Sequence, residues 1–453
     1  MNRRVVITGA GVISSVGNGV DEFWRHCLQA KSVVMPVPEQ WLKYADLRSR
    51  LWSPLHYDPE SFGITRTERL QLDPVTVLAI GAAREALEDA GFTFVPAAER
   101  LRAFALPEVD NTRVGVYLGT GIGGAHSFLQ NHAQHLYQRA HETLKVYSEE
   151  RAPAEDGATL DGVLALMAHP PRYHPFVVSM LMPNAISAAV GIKFSLTGPN
   201  VTYCVACASG TVAVGHGYRA VHEGRVDLAV TGGSEYLYDE HGHIFRGFDV
   251  AGTLVREYVD PESANRPFDE KRSGFLFSQG GAAVLVLEEL EHAQHRGATI
   301  MAELIGFAES FDAHSMMSLA PGGEQIERMI RAALADAKLL PRDVDYVNAH
   351  GTGTKNNDQT EVEVINRVFG KSVRVNSTKS LLGHTIGASG AIEALVTALS
   401  LRDGTTHFCK NLDTPVLDLN FVRSVERFDP RVGLSQSFAF GGHNAAVVLR
   451  RFD

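Results

Sequence analysis

Val201-Thr-Tyr-Cys-Val-Ala-Cys-Ala-Ser-Gly-Thr-Val-Ala-Val214 is a β-branched run that breaks into small residues at Cys207 and continues as an apolar helix. Its Ala208-Ser-Gly210 recurs as Ala388-Ser-Gly390, which also opens an apolar stretch. Working outward, other echoes appear in the same order. Arg84-Glu-Ala-Leu-Glu-Asp-Ala-Gly91 matches Arg331-Ala-Ala-Leu-Ala-Asp-Ala-Lys338. The strand-like run Val114–Gly121 and the run Val344–Gly353 both end in Gly-Thr-Gly. Gly280-Gly-Ala-Ala-Val-Leu-Val-Leu287 parallels Gly441-Gly-His-Asn-Ala-Ala-Val-Val-Leu449. Along the chain the offsets run 247, 232, 180 and about 163 residues. Four collinear matches with falling offsets indicate an internal duplication whose first copy carries longer loops.

Each copy reads strand, helix, strand, helix, strand, with Val/Ile/Leu-rich strands bounded by glycine. That pattern predicts an α/β fold with buried sheet and a site between two packed halves. The divide falls in the polar stretch Glu291–Gly297, giving halves of 1–291 and 298–453. Residues 126–175 are rich in His, Glu and Arg and predict a helical excursion over the surface. A lid, a subunit contact and a plain solvated insertion all remain open for it.

With 453 residues the chain can bury a large core without disulfides. Its 45% hydrophobic and 21% charged residues exclude disorder and collagen-like repeats. A net charge of -10 argues against nucleic acid as partner, though a local basic patch for an acidic protein is compatible with it. Four cysteines fit a reducing compartment, and no apolar run reaches membrane-spanning length, so a cytoplasmic protein is expected.

Three motifs read as decoys. Gly9-Ala-Gly-Val-Ile-Ser14 lacks the third glycine and the downstream acid of a dinucleotide fingerprint and reads as a strand-to-loop turn. Cys204-Val-Ala-Cys207 has no second ligand pair for zinc. His132/His135 and His241/His243 read as exposed loop histidines, so no metal is expected.

Chemistry concentrates in three segments. Cys207 sits at the apex of a strand-to-helix turn of small residues, where a helix N-terminus should lower a thiol pKa. His350 follows a buried strand and opens His350-Gly-Thr-Gly-Thr354. Asn376-Ser-Thr-Lys-Ser-Leu-Leu-Gly-His384 carries Lys379 and His384 just before the helix that matches the Cys207 helix. A lysine so close to a buried helix needs an anion, and Glu393 is the candidate.

These residues resemble the β-ketoacyl-[acyl carrier protein] synthases. The resemblance rests on Ala206-Cys-Ala-Ser-Gly210, His350-Gly-Thr-Gly-Thr354, Ser377-Thr-Lys-Ser380 with Gly383-His384, and Phe438-Ala-Phe-Gly-Gly-His-Asn444. It spans nearly the whole chain except residues about 36–75 and 126–175. It implies a thiolase-like fold of two duplicated halves in five αβαβα layers, usually a homodimer. It also implies an acyltransferase in which Cys207 takes an acyl group from an acyl carrier protein. His350 and His384 would stabilise the enolate formed as malonyl-carrier protein loses CO2, and Lys379 with Glu393 would hold the charge network. Thr352 and Thr354 would bond the pantetheine amides. Phe440 would gate the site on a Gly441-Gly442 hinge and share an oxyanion hole with Cys207. No cofactor is implied, because the phosphopantetheine arrives on the carrier.

Gly353, Lys355 and Ala439 depart from the commonest fatty-acid form, and the first two look more like type II polyketide ketosynthases. Fatty-acid and polyketide or polyene synthesis therefore both stay open. A degradative thiolase would carry a second cysteine near Gly441-Gly-His-Asn444, which has none. A non-catalytic or scaffold subunit predicts an inert Cys207, and a heterodimer with a chain-length-factor-like subunit is the alternative assembly.

Overall fold

The computed structural model describes residues 3–97, 102–150, 164 and 174–453. Ten strands form its main path: β1 (Val5–Ser14), β2 (Val114–Gly119), β3 (Asn200–Tyr203), β4 (Leu228–Tyr236), β5 (Gly280–Glu289), β6 (Ala302–Phe311), β7 (Tyr346–Asn348), β8 (Arg374–Asn376), β9 (Val432–Phe438) and β10 (His443–Arg450). The helices that matter are α1 (Pro74–Asp89), α2 (Ala125–Glu150), α3 (Ala185–Lys193), α4 (Ser209–His222), α5 (Glu324–Asp336), α6 (Lys355–Phe369) and α7 (Ser389–Asp403).

The strand order is β8-β7-β9-β10-β6-β1-β5-β4-β2-β3. Read outward from the β6/β1 seam, both sides give the same sequence: first strand, fifth, fourth, second, third. The pairings match too, antiparallel near the seam and parallel at the two edges. The seam itself is short, pairing Val5, Val6 and Ile7 with Leu304, Glu303 and Ala302.

Helices sort into layers around these two five-stranded units. α1 and α3 pack on the outer face of the first, α5 and α6 lie outside the second, and α4 and α7 lie between them. Three apolar clusters fill the interfaces, one in the middle and one under each outer layer. The result is the five-layer α/β sandwich expected. Each half contains two more strands and one more layer helix than the sequence pattern indicates.

Glycines set the closest approaches. A Cβ on Gly9 would lie 2.3 Å from the Ala86 carbonyl, and one on Gly306 would lie 2.6 Å from the Ala333 carbonyl. These are corresponding strand-to-helix contacts in the two halves. Gly9 therefore sits inside β1, and the reading of Gly9–Ser14 as a turn is corrected. In the middle layer a Cβ on Gly210 would stand 2.6 Å from Ala391 N, and one on Gly390 would stand 2.1 Å from Thr211 Oγ1. The two Ala-Ser-Gly motifs thus touch each other where α4 and α7 begin.

The polar stretch between the halves is partly a short helix, Leu290–His295, whose buried Leu290 and Ala293 pack on Val6. In the 126–175 region, α2 is the predicted surface helix, with His132 and His135 exposed on it. Apart from Leu164, residues 151–173 lie outside the described residues. The unusual 36–75 region includes Leu51–Ser53, which pairs with Phe277–Ser278, and Phe277 in turn bridges to His384. That region therefore buttresses a candidate catalytic loop. No helix among the described residues is long and apolar enough to cross a membrane.

Candidate active site

Cys207 lies in a 3-10 turn, Ala206–Ala208, directly before α4. Ala206 has φ 49°, a left-handed value that costs a non-glycine residue about 1–3 kcal/mol. The corresponding Ile386, before Gly387, has φ 47°. Ser209 Oγ accepts from Val205 N at 2.9 Å and lies 2.9 Å from the Thr120 carbonyl, tying the turn to the end of β2. Glu235 crosses between the halves: its carboxylate accepts from Gly121 N at 2.6 Å and Gly387 N at 3.0 Å.

His350 follows β7 and His384 precedes the equivalent turn before α7. The His384 Nε2 is 3.0 Å from Cys207 Sγ, and the two imidazole rings stand nearly perpendicular with centroids 5.5 Å apart. The hydrogen bonds on the other ring nitrogens decide what these rings offer. His384 Nδ1 accepts from Ile386 N at 3.3 Å, and His350 Nδ1 faces the Lys379 ammonium at 3.2 Å. A backbone N–H and an ammonium can only donate, so both Nδ1 atoms hold lone pairs and both Nε2 atoms carry protons.

Lys379 is fully engaged. Its ammonium donates to the His350 carbonyl at 2.8 Å, to His350 Nδ1 and to Glu393, forming a buried ion pair with the last. Three donors meet three acceptors. Burial pushes both histidines well below their usual range, and the Lys379 charge adds to this. Burial pushes the Glu393 carboxyl up to about 7, against the pull of Lys379.

The thiol departs from expectation. Burial pushes Cys207 up to about 12, and Lys379 with the Phe440 and Cys207 N–H groups pulls it only part of the way back. Burial therefore sets the direction of this thiol, opposite to the lowering expected from its place before a helix. Cys207, Cys204 and the other two cysteines are all free thiols.

A pocket of about 80 Å³ opens over these groups, lined by Cys207, His350, His384, Thr352, Thr354 and Phe440 among others. Thr352 and Thr354 hydroxyls are 2.9 Å apart on one wall. Gly441 and Gly442, at φ 88° and 85°, make the tight turn between β9 and β10 that carries half-buried Phe440. Cys207, His350, His384, Thr352, Thr354 and Phe440 therefore line one pocket, Lys379 and Glu393 join it through His350, and Gly441 and Gly442 follow Phe440 in the chain. Among the described residues, Cys207, His350 and His384 are the group whose ligand atoms, within 4.8 Å of one another, could share a metal. Their Nε2 atoms already carry protons, so the set is arranged to donate hydrogen bonds rather than coordinate.

Sequence reasoning missed the supports. Glu361 on α6 accepts from the His350 and Gly351 backbone N–H groups, each at 2.7 Å. Asp358, one turn earlier, gathers Phe268 N at 2.6 Å and Thr352 N at 3.1 Å. Their spacing of three, just after Gly-Thr-Gly-Thr, was the available signal. The rings of Phe275 and Phe438 pack on His384 and His350 at 5.1 and 5.4 Å.

Comparison with known proteins agrees with this geometry. A family model for the β-ketoacyl synthase N-terminal domain matches residues 2–293, and one for the C-terminal domain matches 301–413. The chain belongs to the β-ketoacyl synthase family. It is 35% identical over 460 residues to a Staphylococcus aureus 3-oxoacyl-[acyl-carrier-protein] synthase 2, covering 100% of this chain and 99% of that one. A Coxiella burnetii protein of the same name is 34% identical with the same coverage. Among solved structures, a β-ketoacyl synthase from Burkholderia phymatum has TM-score 0.81 and 29% identity. A type II polyketide ketosynthase bound to its acyl-carrier protein has TM-score 0.80 and 26% identity. The ishigamide ketosynthase/chain length factor has TM-score 0.81 and 28% identity. Each of the three covers, and is covered by, 100% of this chain. The fold is thiolase-like, and the chain is a condensing enzyme of the acyltransferase class.

Replacing Lys379 by Ala leaves Glu393 buried without its cation. A loss of about 3–5 kcal/mol is expected at pH 8 by urea unfolding. The orphaned carboxyl has a raised folded-state pKa, so its contribution is retained at low pH and lost as pH rises through that value. The deficit against wild type should therefore be smaller at pH 5 than at pH 8. An equal deficit at both would show that Glu393 is not the group left unpaired.

Proposed function

We propose that this pocket carries out decarboxylative condensation of an acyl-Cys207 intermediate with malonyl-carrier protein. The observation that supports it most is the pair of Nε2–H donors, one 3.0 Å from the thiol, facing a common space. In the first stage Cys207 attacks the thioester carbonyl of an acyl group on a carrier's phosphopantetheine. The pantetheine sulfur leaves as a thiol, carrying the proton that Cys207 gives up. The backbone N–H groups of Phe440 and Cys207, both of which favour negative charge on the sulfur, receive the developing oxyanion, a type of contact typically worth about 3–4 kcal/mol.

In the second stage malonyl-carrier protein threads its arm past Thr352 and Thr354. CO2 departs, and its bonding electrons become the enolate, whose oxygen accepts from the His350 and His384 Nε2–H groups. Neutral rings suit this role, because they donate without giving up a proton. The enolate carbon attacks the acyl-Cys207 carbonyl, the cysteine sulfur leaves as a thiolate that takes a proton from solvent, and a β-ketoacyl chain two carbons longer stays on the carrier. The scheme uses no metal or redox cofactor. Fatty-acid and type II polyketide or polyene pathways both supply such substrates.

We assign the working assembly as a homodimer. The edge strand β3 exposes Val201, and the segments nearby in sequence expose Phe176, Val178 and Ile192, an apolar set that a second copy would cover. Pairing with a chain-length-factor-like subunit through the same edge is the other arrangement. Light scattering on the purified chain should give twice the monomer mass, and Val201→Lys should lower it. A monomer in the wild type would overturn the homodimer.

Incubation with acyl-carrier proteins of several chain lengths should place one acyl mass on Cys207, lost in Cys207→Ala. His350→Ala should keep that adduct while condensation falls by at least about 100-fold. Loss of the adduct in His350→Ala, with the fold intact, would show the roles are misassigned. Absence of any adduct in the wild type would remove the catalytic reading altogether.

A further inference from the structure

Glu235 is wholly buried near the C-terminal end of β4. Its Oε2 accepts from Gly121 N at 2.6 Å and from Gly387 N at 3.0 Å. Its Oε1 accepts from the Thr120 hydroxyl at 3.2 Å and from Ile122 N at 3.3 Å. Among the described residues these partners are all neutral donors, with no cation beside the carboxylate. A carboxylate buried without a cation is costly, so its presence here calls for a reason. The other half carries an aromatic ring at the corresponding place. Glu235 pairs with Gly281 across β4 and β5, and Phe438 pairs with Asn444 across β9 and β10. Counting back from the matched Ala282-Ala283 and Ala445-Ala446 puts Gly281 and Asn444 in register. The Phe438 ring packs on His350. The duplication therefore points to His384 as the imidazole that Glu235 serves.

The connection runs through one turn. Gly387 lies in the 3-10 turn Ile386–Ala388, and Ile386 has φ 47°, a strained value for a β-branched residue. Ile386 N donates to His384 Nδ1 at 3.3 Å. The Ser389 hydroxyl lies 3.0 Å from the same nitrogen, but a hydroxyl donates or accepts and so serves either tautomer. Of the two, only the Ile386 N–H excludes a proton on Nδ1. The peptides on either side of Ile386 are thus each held, one by Glu235 and one against the ring. Glycine makes room for the carboxylate: a Cβ would lie 2.5 Å from its Oε2 at Gly121 and 2.7 Å at Gly387. We propose that Glu235 is a positioning residue for His384. By holding the Gly387 N–H it fixes the strained Ile386 turn, which keeps the His384 proton on Nε2 beside Cys207. This rests on the condensing reading above, in which that proton is donated to the enolate oxygen.

The test compares full-length wild type with three variants by nitrogen-15 NMR of the histidine rings and by condensation kinetics. Glu235→Ala removes the acceptor. Glu235→Asp keeps the charge but draws the oxygens back from Gly387 N by about 1.5 Å, and it covers the case in which the alanine variant does not fold. In both, His384 should acquire a population with the proton on Nδ1, donated to the Ser389 hydroxyl, while His350, held by Lys379, keeps its tautomer. Condensation from acyl-Cys207 should lose at least about threefold in kcat, with KM for malonyl-carrier protein unchanged. Glu235→Gln can keep an oxygen toward Gly387 N and turn its amide N–H onto the Thr120 hydroxyl, so it should behave as wild type. A folded alanine or aspartate variant whose His384 stays wholly in the Nε2–H form overturns the proposal. So does a glutamine variant that matches alanine, which would assign the effect to the charge instead of the hydrogen bond. If wild type condenses nothing, the condensing reading fails, a distinct result that the ring spectra do not share.

Discussion

The site depends on how one buried ammonium spends its three protons. Lys379 gives them to Glu393, to the His350 carbonyl and to His350 Nδ1. The first neutralises its charge inside the protein, the second fixes the backbone of the histidine turn, and the third selects the imidazole tautomer. An uncompensated cation at that depth would cost several kcal/mol, so the pair with Glu393 is a condition for the rest. With the tautomer fixed, His350 presents a donor. His384 reaches the same state by a different route, through the Ile386 N–H. The two rings thereby become matched donors although their supports differ.

Duplication explains why these groups meet. Corresponding turns before α4 and α7 lie against each other at the centre of the molecule, their approach permitted by Gly210 and Gly390. One turn presents Cys207 and the other presents the loop with His384, while Gly387 stands where the first half has its cysteine. Glu235 links the two by collecting N–H groups from both halves. The two halves share a backbone, but the nucleophile survives in one and the histidines in the other. The resulting pocket is asymmetric on a symmetric frame.

Much of this was legible in sequence because glycine and small residues are conspicuous. The Ala-Ser-Gly repeats and the other collinear echoes showed the duplication, the family resemblance implied the five layers, and Cys207, His350, Lys379 and His384 stood in motifs of small residues and glycine. Glu393 was found by asking what could accompany a buried lysine. Glu361 and Asp358 escaped because a carboxylate on an amphipathic helix looks like any solvated face until its burial is known. The thiol was misjudged for a related reason. Spacing shows a helix N-terminus, but not how deeply the thiol is buried. Gly9 was misread because its constraint is a helix packed across the strand, which local sequence does not display.

The central claim concerns two protons. Nitrogen-15 NMR of the histidine rings, in protein labelled at histidine and assigned with His350→Asn and His384→Asn, reports tautomer and charge directly. At pH 7 both rings should be neutral with the proton on Nε2, and His350 should change on Lys379→Ala while His384 keeps its tautomer. An imidazolium at either position, or a proton on Nδ1, would contradict the account.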